Sequence, residues 1–146
     1  MNGGGFTNNI IDINNYLNGM TDSQQRAFKA MARGENIFLT GEGGTGKSFV
    51  VKAFMNYCDK IGINVIAAAH TALAAQNVHG MTLAKAFGIK VGGPVITKKT
   101  RARASALLQE ADIVIIDEIS MCRIDQFNLI IRKLNEVNKK RSDLRI

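Results

Sequence analysis

The chain has 146 residues, a hydrophobic fraction of 46% and a mean hydropathy of about zero. These values are typical of one globular domain with a real core and exclude an intrinsically disordered chain. No run approaches about 20 uninterrupted apolar residues, so no membrane-spanning helix is predicted. The net charge of +7 and the pI near 9.7 favour a polyanionic partner such as nucleic acid, although a generally basic soluble protein has the same composition.

Two features bear on the compartment. The N-terminus has neither a basic n-region nor an apolar h-region, so secretion is not predicted. The two cysteines, Cys58 and Cys122, are far apart and form no C-x-x-C pair. Reduced thiols in an intracellular compartment are therefore expected.

The N-terminal part of the chain is predicted to be an irregular lead-in over residues 1–20, because it is rich in Asn and Gly. A helix is predicted to begin after Thr21, which forms a capping box with Gln24 three residues later. It is expected to bury Phe28 and to stop near Gly34, a C-cap signal.

Three short apolar runs are predicted to be strands, at residues 37–40, 63–69 and 113–116. Apolar residues at helical spacing follow the first and the third of these runs. The last helix is expected to point five residues inward: Phe127, Ile130, Ile131, Leu134 and Val137. Continuous apolar strands alternating with helices predict an α/β fold, with a parallel sheet covered on both faces.

A glycine-rich loop follows the first predicted strand and matches G-x-x-x-x-G-K-[ST] in full. Glycines let successive backbone N–H groups point at phosphates, and the next helix adds its positive N-terminal end. Lys47 is expected to reach the β- and γ-phosphates of ATP, and the Ser48 hydroxyl to ligate Mg²⁺. The predicted nucleotide-binding residues of this loop are Gly41, Glu42, Gly43, Gly44, Thr45, Gly46, Lys47 and Ser48.

Two adjacent carboxylates, Asp117 and Glu118, end the third predicted strand. Ligands collect at the carboxyl edge of parallel sheets, where this pair is expected to lie. Asp117 is predicted to hold Mg²⁺ and Glu118 to polarise the attacking water. The alternative is an acidic pair at an ordinary strand-to-loop junction.

Three blocks in this order make the chain resemble the PIF-type and RecD-like DNA helicases of superfamily 1. They are N-I-F-L-T-G-E-G-G-T-G-K-S at 36–48, A-H-T-A-L-A-A-Q-N-V-H-G-M-T at 69–82 followed by K-A-F-G-I, and I-I-D-E-I-S-M at 115–121. The resemblance covers roughly residues 20 to 135. It implies a P-loop NTPase fold with a RecA-like sheet, ATP hydrolysis, and 5′ to 3′ translocation on single-stranded DNA or DNA junctions.

The resemblance also implies roles for single residues. Gln24 matches the glutamine that reads the adenine edge, its alternative role being the capping box, and Gln25 is the fallback for that contact. Thr71 and Thr82 are implied to contact DNA phosphates, which positions the strand without reading sequence. For Thr82 the alternative is a helix N-cap.

The second block departs from the family pattern at several positions. The family's Pro is His70, its Gly is Ala72, and its His-Ser pair after Thr82 is Ala84-Lys85. Lys85 is expected to replace polar contacts with an electrostatic phosphate contact. For three further features, a DNA contact and a structural or solvated role stay open: His70, Phe87, and the cluster of Lys98, Lys99, Arg101 and Arg103.

Residues 21–146 are expected to be the N-terminal portion of a RecA-like domain, incomplete at its C-terminus. No match to the family's G-D-x-x-Q-L-P-P motif is found, so this piece alone is expected to fold poorly and to unwind nothing. The resemblance also implies a monomer, with roles in DNA repair, recombination or telomere maintenance. Two alternatives are an AAA-type loader or remodeller and a non-catalytic nucleotide-binding remnant.

Overall fold

A computed structural model describes residues 13–41, 46–90 and 96–141 of the chain. Two compact units divide the chain between Ile63 and Asn64, and each is described by itself. No helix within the described ranges is long and apolar enough to cross a membrane.

The first unit contains two main helices, α1 (Asp22–Ala32) and α2 (Lys47–Lys60). Helix α1 begins as predicted, because the Thr21 hydroxyl accepts from the Gln24 backbone N–H and the Gln24 side chain accepts from the Thr21 N–H. It ends at Arg33, and Gly34 follows with a φ of +81°, a left-handed conformation that favours glycine.

Aromatic rings form the core of this unit. Phe28 of α1 lies 5.7 Å from Phe54 and 5.6 Å from Tyr57 of α2, measured between ring centroids. Tyr16 stacks on Phe28 at 5.9 Å. Residues 13–17 are helical, where an irregular lead-in was predicted, and Leu17 is buried. Apolar contacts with α1 and α2 therefore order a segment whose local sequence favours a loop.

The strand predicted at residues 37–40 is not formed, and this prediction is wrong for the described chain. A strand needs a hydrogen-bonded neighbour. Among the described residues, the sheet consists of three other strands, none of which pairs with this segment. The Phe38 side chain is 76% exposed, so the apolar run is not buried either.

The second unit is built on a parallel sheet of three strands, β1 (Val65–Ala69), β2 (Met81–Thr82) and β3 (Ile113–Asp117), in the order β2-β1-β3. Ala69 is opposite Thr82 on one side and Asp117 on the other. The predicted second and third strands are thus confirmed, and so is the parallel arrangement. All three strands end at one edge of the sheet, here called the carboxyl edge.

Helices connect and cover these strands. They are α3 (Ala72–Asn77), α4 (Leu83–Phe87), α5 (Lys98–Glu110) and α6 (Ile124–Arg141), with a 3₁₀ turn at Ile119–Met121. The buried core unites Phe87, Leu108, Val114, Ile130 and Leu134.

The inward face of α6 differs from the prediction at two positions. Ile130, Leu134 and Val137 are buried as expected, but Ile131 is only half-buried. Phe127 lies in the first turn, before the core begins at Ile130, and is 37% exposed.

Gly80 allows β1 and β2 to approach each other. A Cβ atom at this position would lie 2.2 Å from the carbonyl oxygen of Ala67 and 2.9 Å from its Cβ. Real Cβ atoms do not approach backbone oxygens this closely, so only glycine fits here without a shift of the backbone.

Candidate functional site

Helix α2 begins at the end of the glycine-rich loop. Gly46 is its N-cap residue, with a φ of +83°, and Lys47 and Ser48 form the start of its first turn. Among the described residues no side chain caps this helix, and its first turn contains no acidic residue. The positive end of its dipole therefore favours an anion such as a phosphate at this position. The other predicted contacts of the loop, Glu42, Gly43, Gly44 and Thr45, lie outside the described residues.

Lys47 contacts the first residue of the glycine-rich loop. The Lys47 ammonium group donates a hydrogen bond to the carbonyl oxygen of Gly41 at the other end of the loop. The Ser48 residue is exposed. The structure thus presents a cation and a hydroxyl at the start of α2, where the motif predicted a phosphate and a metal contact.

Gln24 contacts both its own helix cap and the end of the loop. Its Oε1 accepts from the Thr21 N–H at 2.9 Å, and its Nε2 donates to the Gly46 carbonyl at 3.4 Å. A Cβ on Gly46 would lie 2.2 Å from that nitrogen. The capping-box role is therefore confirmed, and the adenine contact stays a prediction. The Gln25 amide donates to the Met20 carbonyl at 3.2 Å.

The acidic pair lies at the carboxyl edge, as predicted. Asp117 is the last residue of β3 and is half-buried, whereas Glu118 is exposed. The Glu118 backbone N–H donates to Asp117 Oδ1 at 3.0 Å, and the Glu118 carbonyl accepts from the Met121 N–H at 2.9 Å. These two hydrogen bonds define the direction in which the chain leaves the strand.

Glu118 adopts the left-handed conformation, with φ of +54° and ψ of +44°. For an L-residue other than glycine this costs roughly 1–2 kcal/mol. Strained residues of this kind cluster at functional sites, because folding alone would favour glycine there. The sequence gives no sign of this conformation.

Polar contacts stabilise the turn after the acidic pair. Arg123 and Asp125 form an exposed ion pair at 2.6 Å, and this hydrogen bond lowers the pKa of the Asp125 carboxyl. The Arg123 N–H donates to Gln126 Oε1 at 3.0 Å at the start of α6. Burial raises the pKa of the Cys122 thiol, so this cysteine stays protonated and poorly nucleophilic.

The predicted DNA-contacting threonines also lie at the carboxyl edge. Thr82 ends β2, and Thr71 follows β1 by two residues. Both cap helices: Thr71 Oγ1 accepts from the Ala74 N–H at 3.2 Å, and Thr82 Oγ1 accepts from the Lys85 N–H at 3.3 Å. The N-cap alternative for Thr82 is confirmed. A capping hydroxyl still has its own proton to donate, so a phosphate contact is compatible with the cap.

The remaining candidates of this block have different surroundings. Phe87 is 1% exposed and belongs to the core, so the base-stacking alternative is wrong. Lys85 is exposed on α4. His70 is half-buried, and its Nδ1 has no hydrogen-bond partner within the described part of the chain. Gly80, whose role the sequence did not reveal, lets the residue before β2 approach the Ala67 carbonyl of β1 by its lack of a side chain.

Comparisons with known proteins identify a family. The model of the PIF1-like helicase family matches residues 19–145. The chain is 34% identical over 108 residues to the ATP-dependent DNA helicase PIF3 of Trypanosoma brucei brucei, covering 74% of this chain and 13% of that protein. It is 31% identical over 121 residues to the ATP-dependent DNA helicase Pif1 of a Psychrobacter species, covering 80% and 18%.

The comparison with solved structures identifies the same family as the comparison of sequences. The fold is similar to the crystal structure of Candida albicans Pif1 helicase, with a TM-score of 0.67 and 28% identity over 82% of this chain and 29% of that one. It is also similar to Bacteroides Pif1 bound to single-stranded DNA, with a TM-score of 0.63 and 34% identity over 82% and 28%. The chain thus spans less than a third of the length of each of these four proteins.

Proposed function

This chain belongs to the PIF1-like helicase family, and from this premise we propose that it is the ATP-binding part of a DNA helicase, which hydrolyses ATP to move along single-stranded DNA. The observation that carries the proposal is the start of α2. A helix whose N-cap residue is Gly46 has Lys47 and Ser48 in its first turn. This arrangement is what a phosphate group requires.

Lys47 supplies the positive charge at the phosphates. Its ammonium group donates to the Gly41 carbonyl, which is a neutral acceptor. A bound triphosphate offers oxygens of full negative charge, so the ammonium exchanges a neutral acceptor for charged ones. The gain is largest when charge builds up on the γ-phosphoryl group during transfer.

Magnesium is the metal that the donor chemistry fits. The Ser48 hydroxyl and the Asp117 carboxylate are hard oxygen donors, and Mg²⁺ commonly takes only one or two protein ligands besides phosphate oxygens and water. When bound, Mg²⁺ neutralises phosphate charge.

Glu118 acts as the general base. Its carboxylate is exposed, and the left-handed backbone turns it away from the extended course of β3. In that role it accepts a proton from the water that attacks the γ-phosphorus in line with the leaving oxygen. A side chain that only terminated a strand would gain nothing from this strained backbone.

Single-stranded DNA is the proposed track. A related Pif1 helicase has been solved bound to single-stranded DNA, and another structure concerns DNA unwinding at forked double-stranded DNA by two coordinating Pif1 helicases. Here the Thr71 and Thr82 hydroxyls and the Lys85 ammonium would contact its phosphates. Movement from 5′ to 3′, action at junctions as a monomer, and an intracellular role in repair, recombination or telomere maintenance extend the same proposal.

A comparison of two lysines of α2 tests the nucleotide site. Lys47→Ala in the intact protein should abolish ATP hydrolysis, because the phosphates lose their charged contact. Lys52→Ala is the matched control, since Lys52 is exposed on the same helix outside the motif, and it should hydrolyse ATP normally. Equal activity of the two variants would contradict the assignment of the P-loop.

A further inference from the structure

One long segment of the chain has basic residues and no acidic ones. From Ile61 to Gln109 the sequence contains no Asp or Glu and six basic residues, namely Lys85, Lys90, Lys98, Lys99, Arg101 and Arg103. The net charge of this segment is therefore +6. It also contains Thr71 and Thr82. A long segment without acidic residues indicates a polyanionic partner more strongly than a high pI does.

Four of these cations crowd the start of α5. Lys98, Lys99, Arg101 and Arg103 lie within its first six residues, all exposed. Their side chains form no ion pair or hydrogen bond with another described residue. The helix dipole disfavours cations at this end, where acidic side chains are preferred. The fold thus gains nothing from this arrangement, whereas an anion would be attracted by both the side chains and the helix end.

The first turn of α5 lies on the carboxyl side of the sheet. Its other end is fixed at the opposite edge, because Asn64 Nδ2, just before β1, donates to the Glu110 carbonyl at 2.9 Å. With 13 residues, α5 is about 20 Å long, enough to span strands of five residues, about 16 Å. A Cβ on Gly88, which ends α4, would lie 3.0 Å from the Arg101 Cα. Helix α4 itself begins at the carboxyl edge, directly after Thr82.

We propose that the start of α5 is a second contact for single-stranded DNA, which holds the phosphates of the strand that passes Thr71 and Thr82. The strand would continue past Lys85 on α4 to Arg101 and Lys98 on α5. This inference rests on the proposed helicase function and adds a named surface to it. The contacts are to the backbone and so carry no sequence preference.

Continuity favours a single strand over duplex DNA at this surface. Thr82 caps α4, Lys85 lies one turn later, and Gly88 at the end of α4 packs against Arg101. Helix α4 therefore leads from the carboxyl edge, where Thr82 caps it, to the first turn of α5, which Gly88 approaches. A single strand that contacts the threonines would continue along α4 to the four cations. A duplex that binds only these cations would not need to pass the threonines.

The salt dependence of DNA binding tests the proposal. The variant Lys98→Ala/Arg101→Ala removes two cations while keeping good helix formers. For single strands each phosphate contact contributes about 0.7 to the slope of log affinity against log salt, so the slope should fall by about 1.4. At physiological salt this corresponds to roughly tenfold weaker binding of oligo-dT. The matched control is Arg132→Ala/Lys139→Ala on α6, which should leave the slope unchanged.

A charge reversal distinguishes a binding role from a folding role. Lys98→Glu places an acidic residue in the first turn of α5, where the helix dipole favours it. The thermal midpoint of the Lys98→Glu variant should equal or exceed that of the wild type. Its oligo-dT binding should be weaker than that of a Lys98→Ala variant. A lower midpoint accompanied by unchanged binding would overturn the proposal.

The outcomes separate this proposal from the function on which it rests. If the intact wild-type protein does not bind oligo-dT, the proposed helicase function fails. If it binds and the double alanine variant keeps the wild-type slope, only the α5 contact is refuted. If the variant binds oligo-dT normally but loses affinity for blunt duplex DNA, the assignment to a single strand is wrong.

Discussion

Replacing Glu118 by glycine should stabilise the protein while it abolishes ATP hydrolysis. Glu118 has a left-handed backbone, and its side chain forms no hydrogen bond with another described residue. Its two backbone hydrogen bonds, to Asp117 Oδ1 and from Met121, survive in glycine. The substitution therefore removes strain and the proposed catalytic carboxylate without removing a structural contact.

The expected change in the free energy of unfolding is the difference between two contributions. Relief of the left-handed conformation is worth roughly 1–2 kcal/mol. The greater freedom of glycine in the unfolded chain costs about 0.5–1 kcal/mol. The net stabilisation lies between about 0 and 1.5 kcal/mol, and its central value of about 0.75 kcal/mol corresponds to a rise of about 1.5–3 °C in the melting temperature of a protein of this size or somewhat larger.

Thermal unfolding and ATP hydrolysis, measured on the same samples, test this prediction. Glu118→Gln keeps the strained backbone, so it should lose hydrolysis without gaining stability. His79→Gly is the second control, because His79 is the other described non-glycine residue with a positive φ, +50°. It should gain stability and keep hydrolysis. A Glu118→Gly variant that is less stable than Glu118→Gln would refute the argument that Glu118 is strained.

Three further predictions concern the scaffold of the site, all measured by urea denaturation. Gly80→Ala should lower the free energy of unfolding by about 1–3 kcal/mol, because its methyl group meets the Ala67 carbonyl; an unchanged midpoint would contradict this close approach. Thr21→Ala should cost about 1 kcal/mol through loss of the cap shared with Gln24, and Thr21→Ser should restore most of it. Phe54→Ala should cost about 3–5 kcal/mol as a cavity in the aromatic core, whereas a loss below 1 kcal/mol would show that this core is loosely packed.

Local signals predicted local structure well. The capping box of Thr21 and Gln24 depends on residues three apart, and the structure forms it as expected. The strands β1 and β3 were predicted from continuous apolar runs. Lys47 and Ser48 were predicted as site residues because P-loop chemistry requires their types at fixed spacing, and the structure places both in the first turn of α2.

Features that depend on distant partners were not predictable in the same way. The run at residues 37–40 has the composition of a strand, but pairing depends on a neighbour elsewhere in the chain. No helix was predicted at the basic cluster that begins at Lys98, although Thr97 and the absence of Gly and Pro from 97 to 110 favour one. The left-handed backbone of Glu118 has no signal in residue type, because glutamate rarely adopts it.

The central claim is that this chain powers a motor on DNA, and the most direct test is ATP hydrolysis by the intact protein with and without single-stranded DNA. The account predicts strong stimulation by oligo-dT in the wild type, and no hydrolysis above background in Glu118→Gln even with DNA present. Hydrolysis indifferent to DNA would contradict the helicase function, and tight ATP binding without turnover would identify a non-catalytic nucleotide-binding protein instead.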